Sequence, residues 1–337
     1  SVRVEPVVQR GEFQVLVGQR GRLAGTGDWT HMYGNASNAA YAGETLSGVT
    51  EVNQLEAAWL GMPGPRYQTD RQNRKSGPLF AGGRLYMQGQ ERIIALDGYN
   101  GTILWSREMP GMLRFNIPRD ASNWCCDDEH LYLAIGDRCL QIDGETGEIV
   151  EELRLPESDR QPQHEWGYVA CSGDWLLGSA VRANSMFTEF WGVDFWFDQH
   201  DGIYTHQVCS ETLFARRKSK ESIAWQYDGG LIWNATLTAD GNHVYFIESR
   251  NVELTDDESS RVTQAKLTED AWLVALALET GVRSWQQKLD ISPKTAIANM
   301  AYSDGTLVLV TSYDNKFPVR AFDAAHGKPI WDTTVPW

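Results

Sequence analysis

One spacing of residues recurs along this chain and restricts the folds that it can adopt. In the segment Ala95–Trp105, an Asp follows the first Ala by two residues, a Gly by six and a Trp by ten. The segment that begins at Ala321 has the same four residues. The segment that begins at Ala275 has three of them, with Ala277 at the Asp position. Such internal repetition is typical of folds that place one supersecondary unit beside the next.

Two further segments keep part of the spacing. The segment that begins at position 141 keeps the Asp and the Gly but has Glu151 where Trp is expected. The segment that begins at Ala215 keeps the Trp but has Arg217 and Glu221 at the two turn positions. The starting positions 95, 141, 215, 275 and 321 are separated by 46, 74, 60 and 46 residues. The shortest separation is about that of one four-stranded blade, and the longer ones require insertions.

The residue types indicate what the repeat builds. Asp accepts hydrogen bonds from the backbone that follows it and Gly adopts positive φ, so together they predict a tight turn. The Trp side chain is expected to fill the space between neighbouring blades, where its N–H needs an acceptor. Four of the turns are preceded by a strand, a Gly-containing turn and a second strand, at Pro78–Met87, Val169–Leu177, Thr236–Phe246 and Ala301–Val310.

These features predict an all-β propeller of four-stranded blades rather than a β-sandwich of generic hairpins. About five to six blades are visible, with ends near residues 105, 151, 225, 285 and 331. The Trp residues expected to pack between blades are Trp59, Trp105, Trp225, Trp285 and Trp331.

Composition and charge exclude several classes of partner. The 337 residues contain 14 Trp, which fits a fold that repeats one aromatic position, and the net charge is −15. That charge argues against nucleic acid or anionic lipid as a partner, and the sequence lacks the long apolar run that spans a membrane. Because Ser1 is not followed by a charged and then apolar leader, we expect a signal peptide to have been removed and the protein to be periplasmic or extracellular.

The repeat resembles that of PQQ-type propellers, a family that includes quinoprotein alcohol dehydrogenases and non-catalytic outer-membrane assembly lipoproteins. The start of the chain is similar to the opening segment of the dehydrogenases at Asp28-Trp29, Gly34, Tyr41, Leu46, Val52-Asn53, Leu55 and Ala58-Trp59. The resemblance covers about residues 26–337, and residues 1–25 are expected to be a linker. Phe13–Val17 and Leu23–His31 resemble the linker of bacterial multidomain proteins in which a methyltransferase-like domain precedes the propeller, so an upstream domain is expected.

The resemblance also implies where the ring closes. In the related dehydrogenases the opening segment becomes the outer strand of the closing blade, which assigns Trp59 to such a strand. The last repeat ends at Trp331, six residues before Trp337, and leaves no inner strands for Trp59. Related rings usually have about seven or eight blades. We therefore expect the remaining blades to lie on another polypeptide or on a missing portion of the chain.

Three features bear on the quinone chemistry of this family. Cys125-Cys126-Asp127 resembles the motif of methanol-type dehydrogenases, which implies a disulfide between adjacent cysteines beside the cofactor; the alternative is two free cysteines packed as small apolar side chains. Trp233 and Asn251 resemble a cofactor-binding Trp and a calcium-binding Asn of the dehydrogenases, while an Asn that simply ends a strand is the alternative.

The acidic residues of that chemistry are less well matched. Asp270 lies near the position of the catalytic base, in a loosely aligned stretch. No carboxylate is present in 178–184, where the resemblance places a ligand glutamate, and Arg250 precedes Asn251, which disfavours a cation there. PQQ and calcium are therefore candidate cofactors, and no residue pattern requires either.

The third repeat contains an insertion, residues 181–208, that is too long for a turn within a blade. Its aromatic and acidic side chains suit a carbohydrate or a cationic ligand, and a lid packed on the propeller is the alternative. The candidate ligand residues are Glu189, Trp191, Asp194, Trp196, Asp198, His200 and Tyr204. His200, His206 and Cys209 are also of metal-binding types, although Cys209 precedes a strand and is expected to be buried.

Three functions remain open from the sequence. The eroded cofactor positions favour a rigid binding or assembly module of a larger multidomain protein. A PQQ- and calcium-dependent oxidoreductase acting on an alcohol or sugar is the main alternative, and carbohydrate binding through the insertion is the second. The fold alone does not decide among them.

Overall fold

The computed structural model describes residues 2–4, 8–11, 13–15, 18–20, 25–57, 59–60, 76–89, 91–115, 117–156, 163–188, 206–254 and 261–336. These residues are mostly β-strand, and the one α-helix among them, α1, spans Gln264–Thr268. None of the helices in this part of the chain has the length and apolar character needed to cross a membrane.

The predicted linker contains four short strands, β1 (Val2–Val4), β2 (Val8–Arg10), β3 (Phe13–Val15) and β4 (Gly18–Arg20). β1 pairs with β4 and β2 pairs with β3, both antiparallel, so the β2–β3 hairpin lies in sequence between the two strands of the β1–β4 pair.

Five antiparallel units follow, and we call them blades 1 to 5. Blade 1 consists of β5 (Leu79–Ala81), β6 (Arg84–Gly89), β7 (Arg92–Asp97) and β8 (Ile103–Glu108). Blade 2 consists of β9 (Trp124–Cys126), β10 (His130–Ile135), β11 (Arg138–Asp143) and β12 (Ile149–Arg154). Blade 3 consists of β13 (His164–Ser172), β14 (Trp175–Arg182), β15 (Cys209–Arg217) and β16 (Ile223–Tyr227).

Blade 4 has a divided first strand. It consists of β17 (Leu231–Trp233), β18 (Thr238–Ala239), β19 (His243–Ser249), β20 (Ala271–Ala277) and β21 (Arg283–Lys288). Because β17 pairs with both β15 and β19, it joins the sheets of blades 3 and 4. Blade 5 consists of β22 (Ile297–Ser303), β23 (Thr306–Ser312), β24 (Lys316–Asp323) and β25 (Pro329–Pro336). The fold class predicted from the sequence, an all-β propeller of four-stranded antiparallel blades, is confirmed.

The sequence repeat falls at the same structural position in every blade. It spans the turn between the third and fourth strands, where the strand register shifts by one residue as in a β-bulge. The shifts occur at Ala95/Leu96, Gln141/Ile142, Ala215/Arg216, Ala275/Leu276 and Ala321/Phe322. The first residue of the repeat pairs directly with the residue ten positions later, as Ala95 does with Trp105, so a small side chain leaves room for the indole across the strands.

The turn itself is built as its residues predict. In blade 1 the carboxylate of Asp97 accepts hydrogen bonds from the backbone N–H of Tyr99 (2.8 Å) and Asn100 (3.2 Å). Gly101 has a φ of +74°, which side chains disfavour.

Four Trp side chains extend from one repeat to the turn of the next. The indole of Trp105 donates to the carbonyl of Gly144 (2.9 Å) and lies so close to Gly147 that a Cβ there would be 2.6 Å from the ring. We call this arrangement the tryptophan contact. Equivalent contacts join Trp59 to Gly98 and Gly101, Trp225 to Leu278 and Gly281, and Trp285 to Ala324 and Gly327.

Blades 2 and 3 meet without a tryptophan contact. Glu151 occupies the Trp position of blade 2, and its carboxylate receives two hydrogen bonds from the guanidinium of Arg216 in blade 3, at 3.0 and 3.3 Å. The charged tip of Arg216 is nearly buried, whereas the Glu151 side chain is 32% exposed. An ion pair with bidentate geometry therefore replaces the indole at this boundary.

The last blade differs from the others at its outer strand. Trp331 is 47% exposed, whereas Trp105 and Trp225 are each 8% exposed. Every residue of β25 is exposed. Blade 5 therefore presents a complete repeat whose Trp has no following turn to cover it among the described residues.

Candidate functional site

One segment, Trp29–Asn38, contacts the first strand or strand pair of all five blades. The backbones of Trp29 and Phe80 exchange two hydrogen bonds (2.7 and 2.8 Å), and Thr30 accepts one from Cys126 (3.0 Å). The imidazole Nε2 of His31 accepts a hydrogen bond from the backbone N–H of Cys171 in blade 3 (3.0 Å).

The same segment continues to blades 4 and 5. Ala36 accepts a hydrogen bond from the N–H of Ala239 (2.8 Å), and Ser37 accepts one from Tyr302 (2.8 Å). The amide of Asn38 donates to the carbonyls of Leu237 and Met300, at 2.9 and 3.1 Å. Because the first strand of a blade is the one nearest the ring axis, this segment ties the inner edges of the blades together.

A cavity of about 700 Å³ lies beside this segment. Its walls are mainly apolar and come from the segment, from the stretch before β9 and from the inner strands of blades 2 to 5. The lining residues are His31, Met32, Tyr33, Asn38, Ile117, Pro118, Asp120, Ala121, Ser122, Trp124, Tyr168, Val169, Asn234, Ala235, Leu237, Ile297, Asn299, Val310, Thr311, Ser312, Asn315 and Phe317. The cavity is the main candidate for a ligand site because pockets of this size and position hold small molecules in many folds.

Asp120 is the only carboxylate among the lining residues. Burial raises its pKa, and the Arg114 guanidinium, whose Nε is 3.6 Å from Oδ2, partly opposes that rise. Arg114 also donates to the carbonyls of Gly167 (2.6 Å) and Trp166 (2.8 Å). Asp120 thus belongs to a buried ion pair that fastens the stretch before β9 to blade 3.

The other side of Asp120 continues into a chain of hydrogen bonds. The amide of Asn234 donates to Oδ1 of Asp120 (3.4 Å), and the hydroxyl of Ser210 donates to Oδ1 of Asn234 (2.5 Å). The Ser210 and Ser179 hydroxyls are 2.7 Å apart. This network links blades 3 and 4 behind the cavity wall.

His31 is held neutral. Burial, and secondarily the nearby charge of Lys218, lowers its pKa to about 3. Since Nε2 accepts from Cys171, the ring proton is assigned to Nδ1, which is 2.7 Å from the hydroxyl of Thr30. A neutral imidazole at this position serves as a fixed acceptor rather than as a charged group facing the cavity.

The disulfide between adjacent cysteines that the resemblance implies is not present in the structure, where all five cysteines are free thiols. Cys125 and Cys126 are consecutive residues of β9, so their side chains lie on opposite faces of the sheet. Cys126 packs in the core shared with blade 1, and Cys125 packs in the core shared with blade 3. Neither residue lines the cavity.

The structure does not bring the predicted calcium and base residues to the cavity. Asn251 follows β19, where its amide donates to Glu269 (2.7 Å) and to the carbonyl of Lys266 (3.3 Å). Asp270 bonds Lys288 (2.9 Å), which is the main cause of its lowered pKa, and it also accepts from Trp272. Both residues lie at the end of the sheet of blade 4, and their catalytic roles remain predictions.

Trp233, the third residue of that resemblance, is fully buried. Its indole donates to the side chain of Gln207 (2.9 Å), whose own amide donates to the carbonyl of Ala296 (2.9 Å). Trp233 therefore helps to join blades 4 and 5, and its neighbours Asn234 and Ala235 line the cavity instead.

The candidate ligand residues of the insertion, Glu189, Trp191, Asp194, Trp196, Asp198, His200 and Tyr204, lie outside the described residues. The two ends of the insertion are described. Phe187 accepts a backbone hydrogen bond from Phe115 (2.7 Å), and Gln207 exchanges two with Val262 (2.8 and 3.0 Å). Cys209 is buried, as expected, and burial raises its pKa.

The described residues do not fit PQQ with calcium. Calcium requires several oxygen ligands, whereas the lining offers one carboxylate, which is already beside Arg114. No group of three or more His, Cys, Asp or Glu side chains suited to a metal ion occurs in the described part of the chain. PQQ carries carboxylates of its own, and none of the lining residues is Lys or Arg. We therefore derive no chemical step through this cofactor.

Sequence reasoning missed two functional elements. In sequence the segment Trp29–Asn38 resembles part of an opening strand, and its polar residues give no signal of which blades they contact. The ion pair of Glu151 with Arg216 was visible only as a missing Trp. Arg216 is the second residue of the next repeat, where the other repeats have Leu96, Ile142, Leu276 and Phe322, so a charge at this apolar position is the signal that could have found the pair.

Comparisons with known proteins agree with this architecture. The family model described as "Outer membrane protein assembly factor BamB" matches residues 180–336. No curated protein matches the chain. An upstream methyltransferase-like domain receives no support from these comparisons.

Three solved structures are similar over nearly the whole chain. A europium-containing methanol dehydrogenase has a TM-score of 0.57 at 13% identity, covering 92% of this chain and 58% of its own. A quinohemoprotein alcohol dehydrogenase from Pseudomonas putida HK5 has a TM-score of 0.55 at 15% identity, and the match covers 92% of this chain and 48% of that protein. A quinohemoprotein alcohol dehydrogenase from Comamonas testosteroni has a TM-score of 0.53 at 14% identity, and the match covers 93% of this chain and 50% of that protein. The chain thus spans about half the length of these proteins, and at such identities the likeness concerns the fold alone.

Proposed function

We propose that this β-propeller acts as a rigid binding module of a larger assembly rather than as an enzyme; the family-model match over residues 180–336 and the fold shared with the similar structures support the proposal. The observation that carries the proposal is the open outer strand of blade 5. Trp331 stands there in the register of the other repeats, opposite Ala321, but it is 47% exposed. An exposed Trp is a common anchor of protein interfaces.

The internal tryptophan contacts indicate what the partner looks like. Each covers the indole with a Gly-containing turn and supplies a backbone carbonyl to the N–H, as Gly147 and Gly144 do for Trp105. Ile330 and Val335 on the same strand are also exposed, at 53% and 49%. The chemistry that fits this strand is the third-to-fourth-strand turn of a further blade, on another polypeptide or on a further portion of the protein.

Blade 1 supports the same proposal from the opposite side. Its turn is already covered by Trp59, which donates to Gly98 (3.0 Å) although residues 55–57, 59 and 60 form no strand. The turn of blade 1 is therefore already covered by a Trp, whereas the Trp of blade 5 is not covered by a turn of the described residues. The matched family description, an assembly factor, and the predicted periplasmic or extracellular location are compatible with such a role.

A site-specific crosslink tests the partner. A photoreactive phenylalanine replaces Trp331 in the full-length protein in its own cell, and crosslinked peptides are identified by mass spectrometry. We expect crosslinks to a Gly-containing turn between two β-strands outside residues 1–337. The same probe at Val282, which is 65% exposed on blade 4, is the control. Crosslinks from position 331 that fall only within residues 1–337 would contradict the proposal.

A titration tests the enzymatic alternative, which the fold of the dehydrogenases favours. The purified protein is titrated with PQQ, with and without calcium, while absorbance and dye-linked oxidation of alcohols and sugars are followed. We expect neither saturable binding nor turnover, and an apo-quinoprotein dehydrogenase is the positive control. Bound quinone with turnover that Asp120→Asn removes would establish an oxidoreductase and overturn the binding-module proposal.

A further inference from the structure

Two cysteines from neighbouring blades face each other inside the protein. Cys125 lies on β9 of blade 2 and Cys171 lies on β13 of blade 3, and their Sγ atoms are 3.3 Å apart. Cys125 is fully buried and Cys171 is 9% exposed. The residues are 46 positions apart in the chain, so only the packing of the two blades brings them together.

The surroundings of the pair favour this partner over the adjacent cysteine. Cys125 and Cys171 share one core cluster with Cys139, whereas Cys126 belongs to the cluster on the other face of β9. A disulfide needs sulfur atoms about 2.05 Å apart. The sulfur atoms of Cys125 and Cys171 are already in contact at 3.3 Å, whereas the side chain of Cys126 lies on the other face of the sheet.

The pair also lies at the one described boundary between neighbouring blades that lacks a tryptophan contact. There the ion pair of Glu151 with Arg216 takes the place of the indole. A backbone hydrogen bond from Trp166 to Gly136 (2.6 Å) fixes β13 against the β10–β11 turn. We propose that Cys125 and Cys171 form a disulfide that links blade 2 to blade 3.

The reaction is a two-step thiol–disulfide exchange with a disulfide-bearing oxidant of an oxidising compartment. The thiolate of one cysteine attacks a sulfur of the oxidant and releases one thiol, leaving a mixed disulfide. The thiolate of the second cysteine then attacks the bound protein sulfur and releases the second thiol. Two protein S–H bonds are lost, one protein S–S bond forms, and the oxidant is reduced to two thiols with the two protons.

The folded protein affects when this exchange takes place. Burial, with the hydrogen bond to Cys171 as a second cause, raises the pKa of Cys125 well above its usual value, so its reactive thiolate is scarce in the native state. Lys218 lies near Cys171 and donates to Asp127 (2.7 Å). Cys171 is the more exposed residue of the pair, so the oxidant reaches it first, and the bond closes as the two blades assemble.

Peptide mapping tests the link. The chain is produced in a bacterial periplasm, free thiols are alkylated at lysis, and a tryptic digest is analysed without reduction. We expect Asp120–Arg138 joined to Gln161–Arg182, two hydrogens lighter than the sum. The link should persist in Cys126→Ser and Cys139→Ser and disappear in Cys125→Ser. In the wild type, fragmentation between residues 125 and 126 assigns the bond without any substitution.

A thermal measurement provides the second readout. The linked protein should unfold about 4 °C above the same protein after reduction, because the bond closes a long loop, and Cys171→Ser should show no such dependence on reductant. A bond between Cys125 and Cys126, a bond from Cys125 to Cys139, or alkylation of all five cysteines in the folded periplasmic protein would overturn the proposal. This outcome is separate from the test of the binding module, since neither the peptide map nor the thermal measurement involves Trp331.

Discussion

The boundary between blades 1 and 2 and the boundary between blades 2 and 3 occupy equivalent places and are built differently. At the first, the Trp105 indole lies on Gly147 and donates to Gly144. At the second, the Glu151 carboxylate receives the guanidinium of Arg216. The first boundary depends on apolar area and one hydrogen bond, and the second depends on charge.

This difference shows how a repeat tolerates substitution. A tryptophan contact needs three matched features, namely the indole, a Gly without a Cβ and a free carbonyl. When the Trp is replaced by Glu, the facing blade no longer needs the Gly, and it supplies an Arg instead. The two boundaries should therefore respond differently to truncation and to pH, and Trp331, which has no facing blade among the described residues, should respond least.

The largest expected effect is the loss of a covered indole. We expect Trp105→Ala to lower the free energy of unfolding by about 3–5 kcal/mol, because a large buried side chain is removed. Trp331→Ala should lower it by less than about 1 kcal/mol, since the side chain is 47% exposed. Urea unfolding of both variants provides the measurement, and equal losses would contradict the comparison.

Acidification should destabilise the protein through His31, which bonds to Cys171 on the side of blade 3 that faces blade 2. Its pKa in the folded protein is about 3, against an ordinary value of 6.5. The unfolded chain therefore binds more protons between these values, so the stability that neutral His31 provides is complete above pH 6.5 and is lost as the pH falls. We expect a contribution of about 2–3 kcal/mol to disappear by pH 4.

The measurement is urea unfolding of wild type and His31→Gln across pH 7 to pH 4. The free energy of unfolding of His31→Gln should fall less over this range than that of the wild type. Trp105→Ala should be less stable at every pH, but its free energy of unfolding should depend on pH as that of the wild type does. An equal slope for His31→Gln and wild type would show that the imidazole does not titrate as described.

A Cβ on the facing glycine should weaken a tryptophan contact. Gly147 has a φ of +71°, and a Cβ there would be 2.6 Å from the Trp105 ring. We expect Gly147→Ala to cost about 2–3 kcal/mol. Gly136 also has a positive φ, +56°, but nothing lies within 4 Å of its Cβ position, so Gly136→Ala should cost only about 1 kcal/mol. The difference between the two, measured by chemical unfolding, isolates the contact with the indole.

Loss of the ion pair should have a smaller effect than loss of a tryptophan contact. Glu151→Gln removes a charge from Arg216, but Glu151 is 32% exposed and solvent screens the pair. We expect a loss of about 1 kcal/mol that shrinks with added salt, whereas Trp105→Ala should be insensitive to salt. Glu148→Gln, on the same edge and without a described ion pair, is the control. A loss at position 151 that does not change between low and high salt would rule out the electrostatic account.

The fold was predictable because its signal is periodic. The spacing from Ala95 to Trp105 encodes a turn, a bulge and a cross-strand pair that recur at the same register in every blade. The site was less predictable because its contacts join residues far apart in sequence. Nothing in the residues around His31 indicates that its imidazole accepts from Cys171, 140 positions away.

The cysteine motif illustrates a second reason. Two adjacent cysteines resemble a vicinal disulfide in sequence, but the alternation of a β-strand places their side chains on opposite faces. The partner of Cys125 is therefore chosen by how blade 3 packs, and no local pattern contains that information. The same limit applies to Asn251, whose neighbours Glu269 and Lys266 come from the far end of a connection.

Hydroxyl-radical footprinting read by mass spectrometry tests the central claim most directly, because it compares all the repeat tryptophans in one sample. The claim is that each tryptophan contact covers its indole and that Trp331 is left open. The account predicts fast oxidation of Trp331 and strong protection of Trp105 and Trp225 in the 337-residue chain. Protection of Trp331 equal to that of Trp105 would contradict it, since the last blade would then already be covered.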